Sequence, residues 1–373
     1  MLEERKVLVY PFDRGFSPLV RYDDYLYRKA RFNSLVSPSG FALAGHDAGY
    51  ANGVQTGMLV SKDLEKAIED NDIFLLANGH WNLNLRKKAI ESMMRAASMH
   101  KEIWCTILLS DEELENIRES CRQNDTEFTY FYHPANENFV LDTKLSRLRR
   151  PKSAIIFVGE VMPGLDAYAI MLSLYKSFSN AGYRVCAVGD RSDCELFGIH
   201  SMPYFLRNSV GEDLKIYGFN QYICELEEKE ESAVIIIQLP GALIKYNNQL
   251  INGGGVLSYI VSQALQPDYM VTCVPFDTNE CNSFVSLSET FLYKFGFGID
   301  FIHMSNARVD SVQSMIDALM IYDYPDVGIV TKELSKNNTD FGIPVCNILD
   351  NNHESLFLHA ENKLTGYIPS VKW

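Results

Sequence analysis

No Cys-x-x-Cys pair occurs in this chain of 373 residues, although it holds 8 cysteines. Cys105, Cys121, Cys186, Cys194, Cys224, Cys273, Cys281 and Cys346 are scattered. Without paired spacing no metal site is expected, and most should be small buried thiols of a reducing compartment. Nor does any apolar run approach the ~20 residues that span a bilayer. The charged opening, Met1 to Lys6, leads straight into a strand rather than a signal peptide, so the chain is expected to stay in the cytoplasm, off the membrane. Positive charge is scarce: 34 Lys and Arg stand against 48 Asp and Glu, for a net charge of -14. That balance sets the surface against nucleic acid and anionic lipid, and toward basic or cysteine-rich peptides. Internal repeats and low-complexity tracts are missing as well.

What remains is an ordinary globular composition, long enough for two domains at ~150 residues each. In the first half, Lys6–Tyr10, Ser34–Val36, Asp72–Ala77, Ile103–Leu109 and Phe128–Tyr132 read as strands. Between them lie helical windows over Lys62–Asp70 and Leu85–Met99, and one opened by Ser110 with Glu113 three residues on, a capping box. The glycine-rich stretch from Phe41 to Gly57 reads as a loop. Strands alternating with helices imply a parallel sheet, here a Rossmann-like domain over residues 1–148. The Gly-x-Gly-x-x-Gly fingerprint is missing after its first strand, where Pro11-Phe12-Asp13-Arg14 stands, so no dinucleotide is expected. Asp13, Arg14, His46, Asp47 and His80 occupy strand-end or loop positions, and Asp13 and His80 are taken as candidate ligand contacts. The basic, proline-bearing segment Leu145–Lys152 reads as the linker to a second α/β domain over 149–373.

That second half opens on Ala154-Ile-Ile-Phe-Val-Gly159-Glu-Val-Met-Pro-Gly164-Leu165-Asp166, followed by a helical run to Ala181. Apolar strand, Gly159, four residues, Gly164 and helix spell the frame of a phosphate-binding loop. The residues that carry phosphate chemistry are replaced: Leu165 stands for the lysine and Asp166 for the magnesium-holding hydroxyl. Ser232–Gln238 is a buried strand whose end offers Gln238 where an acid is needed. The domain is thus expected to be a degenerate phosphate-loop sheet, using no cofactor. Gly159, Gly164 and Asp166 leave room only for residual nucleotide or phosphate binding at loop amides and a helix N-terminus. Asp190, Arg191, Asp193, Cys194, Glu195 and His200 follow the strand Tyr183–Val188, at the edge where α/β sheets present ligands, and are taken with Gln238 as candidate binding residues. Cys194 and His200 also have the residue types of a thiol nucleophile and its base. A catalytic set is not assigned.

Three stretches carry a resemblance. They are Lys6-Val-Leu-Val-Tyr-Pro-Phe-Asp13, Leu35-Val-Ser-Pro-Ser-Gly40 through Tyr50, and Tyr183-Arg-Val through Gly189-Asp-Arg-Ser-Asp-Cys194-Glu-Leu-Phe-Gly198-Ile-His200-Ser-Met-Pro203. Over roughly Lys6 to Asp310 the chain resembles a clostridial-type family of peptide maturation system proteins, found with small Cys-rich or bacteriocin-like peptides and a radical S-adenosylmethionine maturase. More remotely it looks like two-domain proteins with a Rossmann-like N-terminal and a P-loop kinase-like C-terminal domain, some of them nucleotide-using enzymes. The first resemblance implies a non-hydrolytic accessory protein that binds a ribosomally synthesised precursor peptide or its radical SAM maturase. The second implies the alternative, a nucleotide-dependent ligase or kinase with a rebuilt phosphate site, and the departures at Leu165, Asp166 and Gln238 stand against ATP turnover.

Overall fold

Short, continuous apolar runs form the strands of both sheets, because parallel strands covered by helices on both faces bury every side chain. The computed structural model describes residues 4–50, 55–79, 83–132, 147–276, 284–336, 342–350 and 352–365. The chain divides into two units: residues 1–134 with 191–201, and residues 135–190 with 202–373. Among the described residues no helix is long and apolar enough to cross a membrane.

In the first unit the elements are β1 (Lys6–Tyr10), β2 (Arg31–Val36), β3 (Val60–Ser61), α1 (Leu64–Glu69), β4 (Ile73–Leu76), α2 (Leu83–Ser98), β5 (Glu102–Cys105), α3 (Asp111–Gln123) and β6 (Phe128–Tyr130). All pairings are parallel, in the order β3-β2-β1-β4-β5-β6. This is the doubly wound order, with its switch point between β1 and β4. Leu8, Phe74, Leu76, Ala89, Met93 and Ile103 form the centre of one core cluster, each at most 1% exposed. Helix starts follow the expected chemistry. Asp63 caps α1 by accepting from the Lys66 amide, and Ser110 with Glu113 makes the capping box of α3. An α-helix between β1 and β2 does not form. That connection folds as 3-10 turns over Ser17–Tyr25 and Tyr27–Lys29, with Pro18 near the start and Arg28 at φ 55 in the second.

The second unit runs β7 (Ala154–Glu160), α4 (Ala167–Asn180) and β8 (Val185–Gly189). The chain then passes through β9 (His200–Ser201), which falls within the first unit's residues. Next come α5 (Glu212–Glu230), β10 (Val234–Ala242), α6 (Val256–Ala264), β11 (Tyr269–Val274), α7 (Phe284–Phe295), β12 (Phe301–Met304), β13 (Arg308–Val309), α8 (Ser311–Asp317), β14 (Tyr322–Asp323), α9 (Val327–Lys336), β15 (Val345–Cys346) and α10 (His353–Leu364). Parallel strands take the order β15-β12-β11-β7-β10-β8, while β13 and β14 pair apart as an antiparallel ribbon. β7 is therefore central: Ile156 sits opposite Ile236 on one side and Tyr269 on the other. Two elements outrun their sequence windows. α5 starts at Glu212 rather than near Gly218, with Glu212 and Asp213 favouring its N-terminus. β10 continues past Gln238 to Ala242 through an irregularity that sets Ala242 opposite Glu160.

Candidate functional site

Ligands of open α/β sheets bind outside the carboxyl ends of the strands at the switch point, which in the second unit lies between β7 and β11. Glu160 ends β7 there, beside Cys273 of β11, and the Val161 amide donates to the Cys273 carbonyl at 3.0 Å. The chain then turns through Gly164 at φ +86 and Asp166 at φ +75 into α4. Gly164 can take that backbone without strain; Asp166 does so as the helix cap. Gly159 plays another part. It lies inside β7, where a Cβ would come within 2.8 Å of Leu243 Cδ1 and 3.3 Å of Leu239 Cδ1, so glycine is needed for close packing of the β10 segment.

The loop amides already have an occupant, and it is an internal carboxyl group. Glu160 Oε1 accepts from the Gly164 amide and Oε2 from the Leu165 amide, both at 2.9 Å, with the Ala167 amide also bonded to the carboxylate. Burial pushes this carboxyl up to about 7, and the neighbouring Asp166 charge pushes the same way against the amides. Leu165 points into the core at 0% exposure, so the place of the missing lysine is filled by an apolar contact. Asp166 does not cap α4 with its side chain; it turns to β12. Its Oδ2 accepts from Ser305 Oγ at 2.5 Å and lies 3.4 Å from His303 Nε2. His303 is fully buried, and its Nδ1 accepts from the Ile348 amide at 3.0 Å, which leaves the proton on Nε2 facing Asp166. Burial, then the Glu160 and Asp166 charges, hold the Cys273 thiol well above its ordinary range. Over the turn, Tyr322 donates its hydroxyl to the Pro163 carbonyl at 2.6 Å. Glu160, Cys273, His303, Ser305 and Tyr322 escape the sequence reading. Glu160 stands inside the quoted frame and could have been found there; the others come from distant strands.

Gln238 and Asp190 meet elsewhere in this unit. The Gln238 side chain accepts from the Asp190 amide at 2.9 Å, and the Asp190 carboxylate takes Arg207 and, at 3.3 Å, the Gly241 amide. Burial raises the Asp190 carboxyl, with Arg207 opposing. The remaining candidates belong to the first unit. Arg191 grips Asp193 through two bonds of 2.9 and 2.6 Å and donates Nη1 to the Gly15 carbonyl at 3.0 Å. Asp13, 4% exposed, accepts from the Phe16 amide at 3.1 Å, and a Cβ on Gly79 would lie 2.9 Å from its Oδ2. These residues gather at the β1/β4 switch point. Cys194 is fully buried in the 3-10 turn Cys194–Phe197, which also holds the half-buried Glu195; His200 is half-buried in β9. Asp47 organises its own loop: burial opposes its charge, but the Thr56, Gly49 and Gly57 amides hold it below the usual carboxylate range. His46 stacks on Tyr50 at 4.1 Å. His80 lies outside the described residues.

No protein-family model matches the sequence, and no curated protein matches it. Among solved structures the chain is similar to a DUF1611 family protein from Anabaena variabilis, at 12% identity and a TM-score of 0.60, over 96% of this chain and 100% of that one. It is also matched to the signal recognition particle receptor FtsY from Elizabethkingia anophelis, at 13% identity and a TM-score of 0.31, over 69% of this chain and 78% of that one. The first likeness extends through both α/β units, and what the chain shares with it is the fold.

Proposed function

We propose that the chain is a non-hydrolytic accessory protein of the cytoplasm that binds a partner. On the sequence resemblance, that partner is a ribosomally made precursor peptide or its radical SAM maturase. One observation carries the reading: the amides that would cradle a phosphate are taken by the carboxylate of Glu160. An incoming phosphate would have to displace a carboxylate from its donors and then sit beside Asp166, with no lysine to offset the repulsion. Losing one transition-state contact of this kind already costs ~100-fold in rate.

The alternative, a nucleotide-dependent ligase or kinase, draws on the Asp166, Ser305 and His303 cluster at the switch point, where three polar side chains meet beside the start of α4. One experiment separates the two. The purified chain with magnesium and ATP or GTP should show no thermal shift and release no phosphate above background. Steady-state hydrolysis that Gly164→Val abolishes would overturn the accessory reading and establish the enzyme.

A further inference from the structure

The ribbon between Arg308 and Asp323 carries more apolar surface than its own packing uses. β13 and β14 pair through Arg308 with Asp323 and Val309 with Tyr322, and α8 sits at their tip. Val312, Met315 and Ile316 follow the i, i+3, i+4 spacing that buries a helix face against a core, and Leu319 comes just past the left-handed cap Ala318 that ends the helix. Here they are 71%, 39%, 70% and 62% exposed, and Ser314 is the one buried residue of the helix.

The face is nonetheless held firmly. Asp310 caps the helix by accepting from the Gln313 amide, and the Ser314 hydroxyl accepts from the Ile321 amide at 2.9 Å. Gln249 Nε2 donates to the Met315 carbonyl at 3.1 Å, and Asn247 Nδ2 lies 3.3 Å from its sulfur. Ile251, two residues past Gln249, is exposed too. Along this stretch of chain the charge is mainly acidic, and Lys245, on the loop whose Asn247 and Gln249 touch Met315, donates to Asn248 Oδ1. From Ser305 to Asp326, Asp310, Asp317, Asp323 and Asp326 stand against Arg308 alone, and Arg308 is paired with Asp323.

We propose that the exposed face of α8 docks a short helical segment of a partner peptide, apolar on one side and flanked by lysine or arginine. The apolar row supplies the contact and the aspartates select the flanks. A second copy of this chain, or an anionic lipid surface, would bring like charge against the same rim. The inference deepens the reading of the chain as a peptide-binding accessory protein and rests on it. It also places the docked peptide on the ribbon whose Tyr322 reaches the Pro163 carbonyl.

The test uses the full chain and a fluorescein-labelled peptide of about 14 residues, with leucine at helical spacing and lysine elsewhere, followed by anisotropy. The expected result is binding that weakens about 10-fold or more in the double variant Ile316→Asp with Leu319→Asp. Both positions are exposed, so the fold should survive, and Val312→Asp tests the same face independently. Added aspartate would strengthen a purely electrostatic attachment, so weakening identifies apolar docking. Replacing the peptide's lysines by glutamate should abolish binding. Unchanged affinity in the variants, or equal binding of the glutamate peptide, would overturn the proposal. A wild-type dimer in sedimentation that the double variant converts to monomer would overturn it in favour of self-association. Failure here, together with the absence of nucleotide turnover, sinks the docking face alone; turnover sinks the accessory reading whatever the peptide does.

Discussion

The two sheets place an acid just beyond, or at, the end of their first strand, and put it to different use. In the first unit Asp13 follows β1, and the chain goes on into 3-10 turns, so β1 is not followed directly by an α-helix; the carboxylate closes a local turn through the Phe16 amide. In the second unit Glu160 ends β7 and α4 begins seven residues later, so amides at the start of a helix point at one spot and Glu160 fills it. A first-strand loop that closes on its own acid, and a helix-borne nest with an internal occupant, both turn a strand-end carboxylate to the needs of the loop. Strand order supplies the edge where chemistry can occur, but the loop decides whether an anion from outside is welcome.

The comparison breaks most visibly at Leu165. If the loop is closed by design, its missing lysine cannot simply be restored, because the side chain at that position is turned into the core. Leu165→Lys should lose the buried leucine and force an ammonium into an apolar site, at a cost of about 4 kcal/mol by urea denaturation. A variant as stable as the parent would mean that residue 165 can face outward.

Next comes the occupant itself. Glu160 titrates near 7 in the fold, above the ordinary carboxylate value of about 4.3, so the folded chain holds a proton that the unfolded chain releases. Its share of stability is full below about pH 4 and is lost as pH rises through about 7. In Glu160→Gln that share is gone. The difference in unfolding free energy between parent and variant should therefore shift against the parent by on the order of 3 kcal/mol between pH 4 and pH 8. A pH-independent difference would show that Glu160 stays ionised among the amides throughout.

Much of this architecture was legible because parallel strands announce themselves as apolar runs: Ile73–Leu76 and Ala154–Val158 needed no tertiary information. The capping box at Ser110 was equally local. The turn-forming role of Gly164 could be read from its place in the frame, whereas that of Gly159 could not, since its reason is Leu243, 84 residues away in the chain. The partners of Asp166 lie still farther off, at His303 on β12 and Ser305 just past it, and no spacing rule links them. The missing helix between β1 and β2 had a visible cue in Pro18. α8 hid for a different reason: its apolar spacing is helical, but only its exposure tells that the face is unused.

A smaller effect sharpens the contrast between the two edges through their hydroxyls. Ser305 donates to a carboxylate, Asp166, and Ser17 of the first unit donates to a neutral carbonyl, Ala48, each at 2.5 Å and each nearly or fully buried. Hydrogen bonds to charged acceptors are worth about twice those to neutral ones. Ser305→Ala should cost about 2 kcal/mol and Ser17→Ala about 1 kcal/mol in chemical denaturation. Equal losses would mean that Asp166 is held well enough without Ser305.

The smallest expected change is also the most specific, because it reverses sign. Gly79 does not adopt a left-handed backbone, so space alone keeps it glycine: an added Cβ would meet Asp13 Oδ2 at 2.9 Å, and that carboxylate is fixed by the Phe16 amide and buried. Gly79→Ala should therefore destabilise the parent by about 1 kcal/mol through overpacking. In an Asp13→Ala background the obstructing atom is gone. The same substitution should then stabilise by a few tenths of a kcal/mol, since alanine has less freedom to lose on folding than glycine. A double-mutant cycle by urea denaturation reads the difference directly. If Gly79→Ala costs the same in both backgrounds, Asp13 is not what the backbone after β4 closes upon, and the first unit's edge is open where the second unit's is filled.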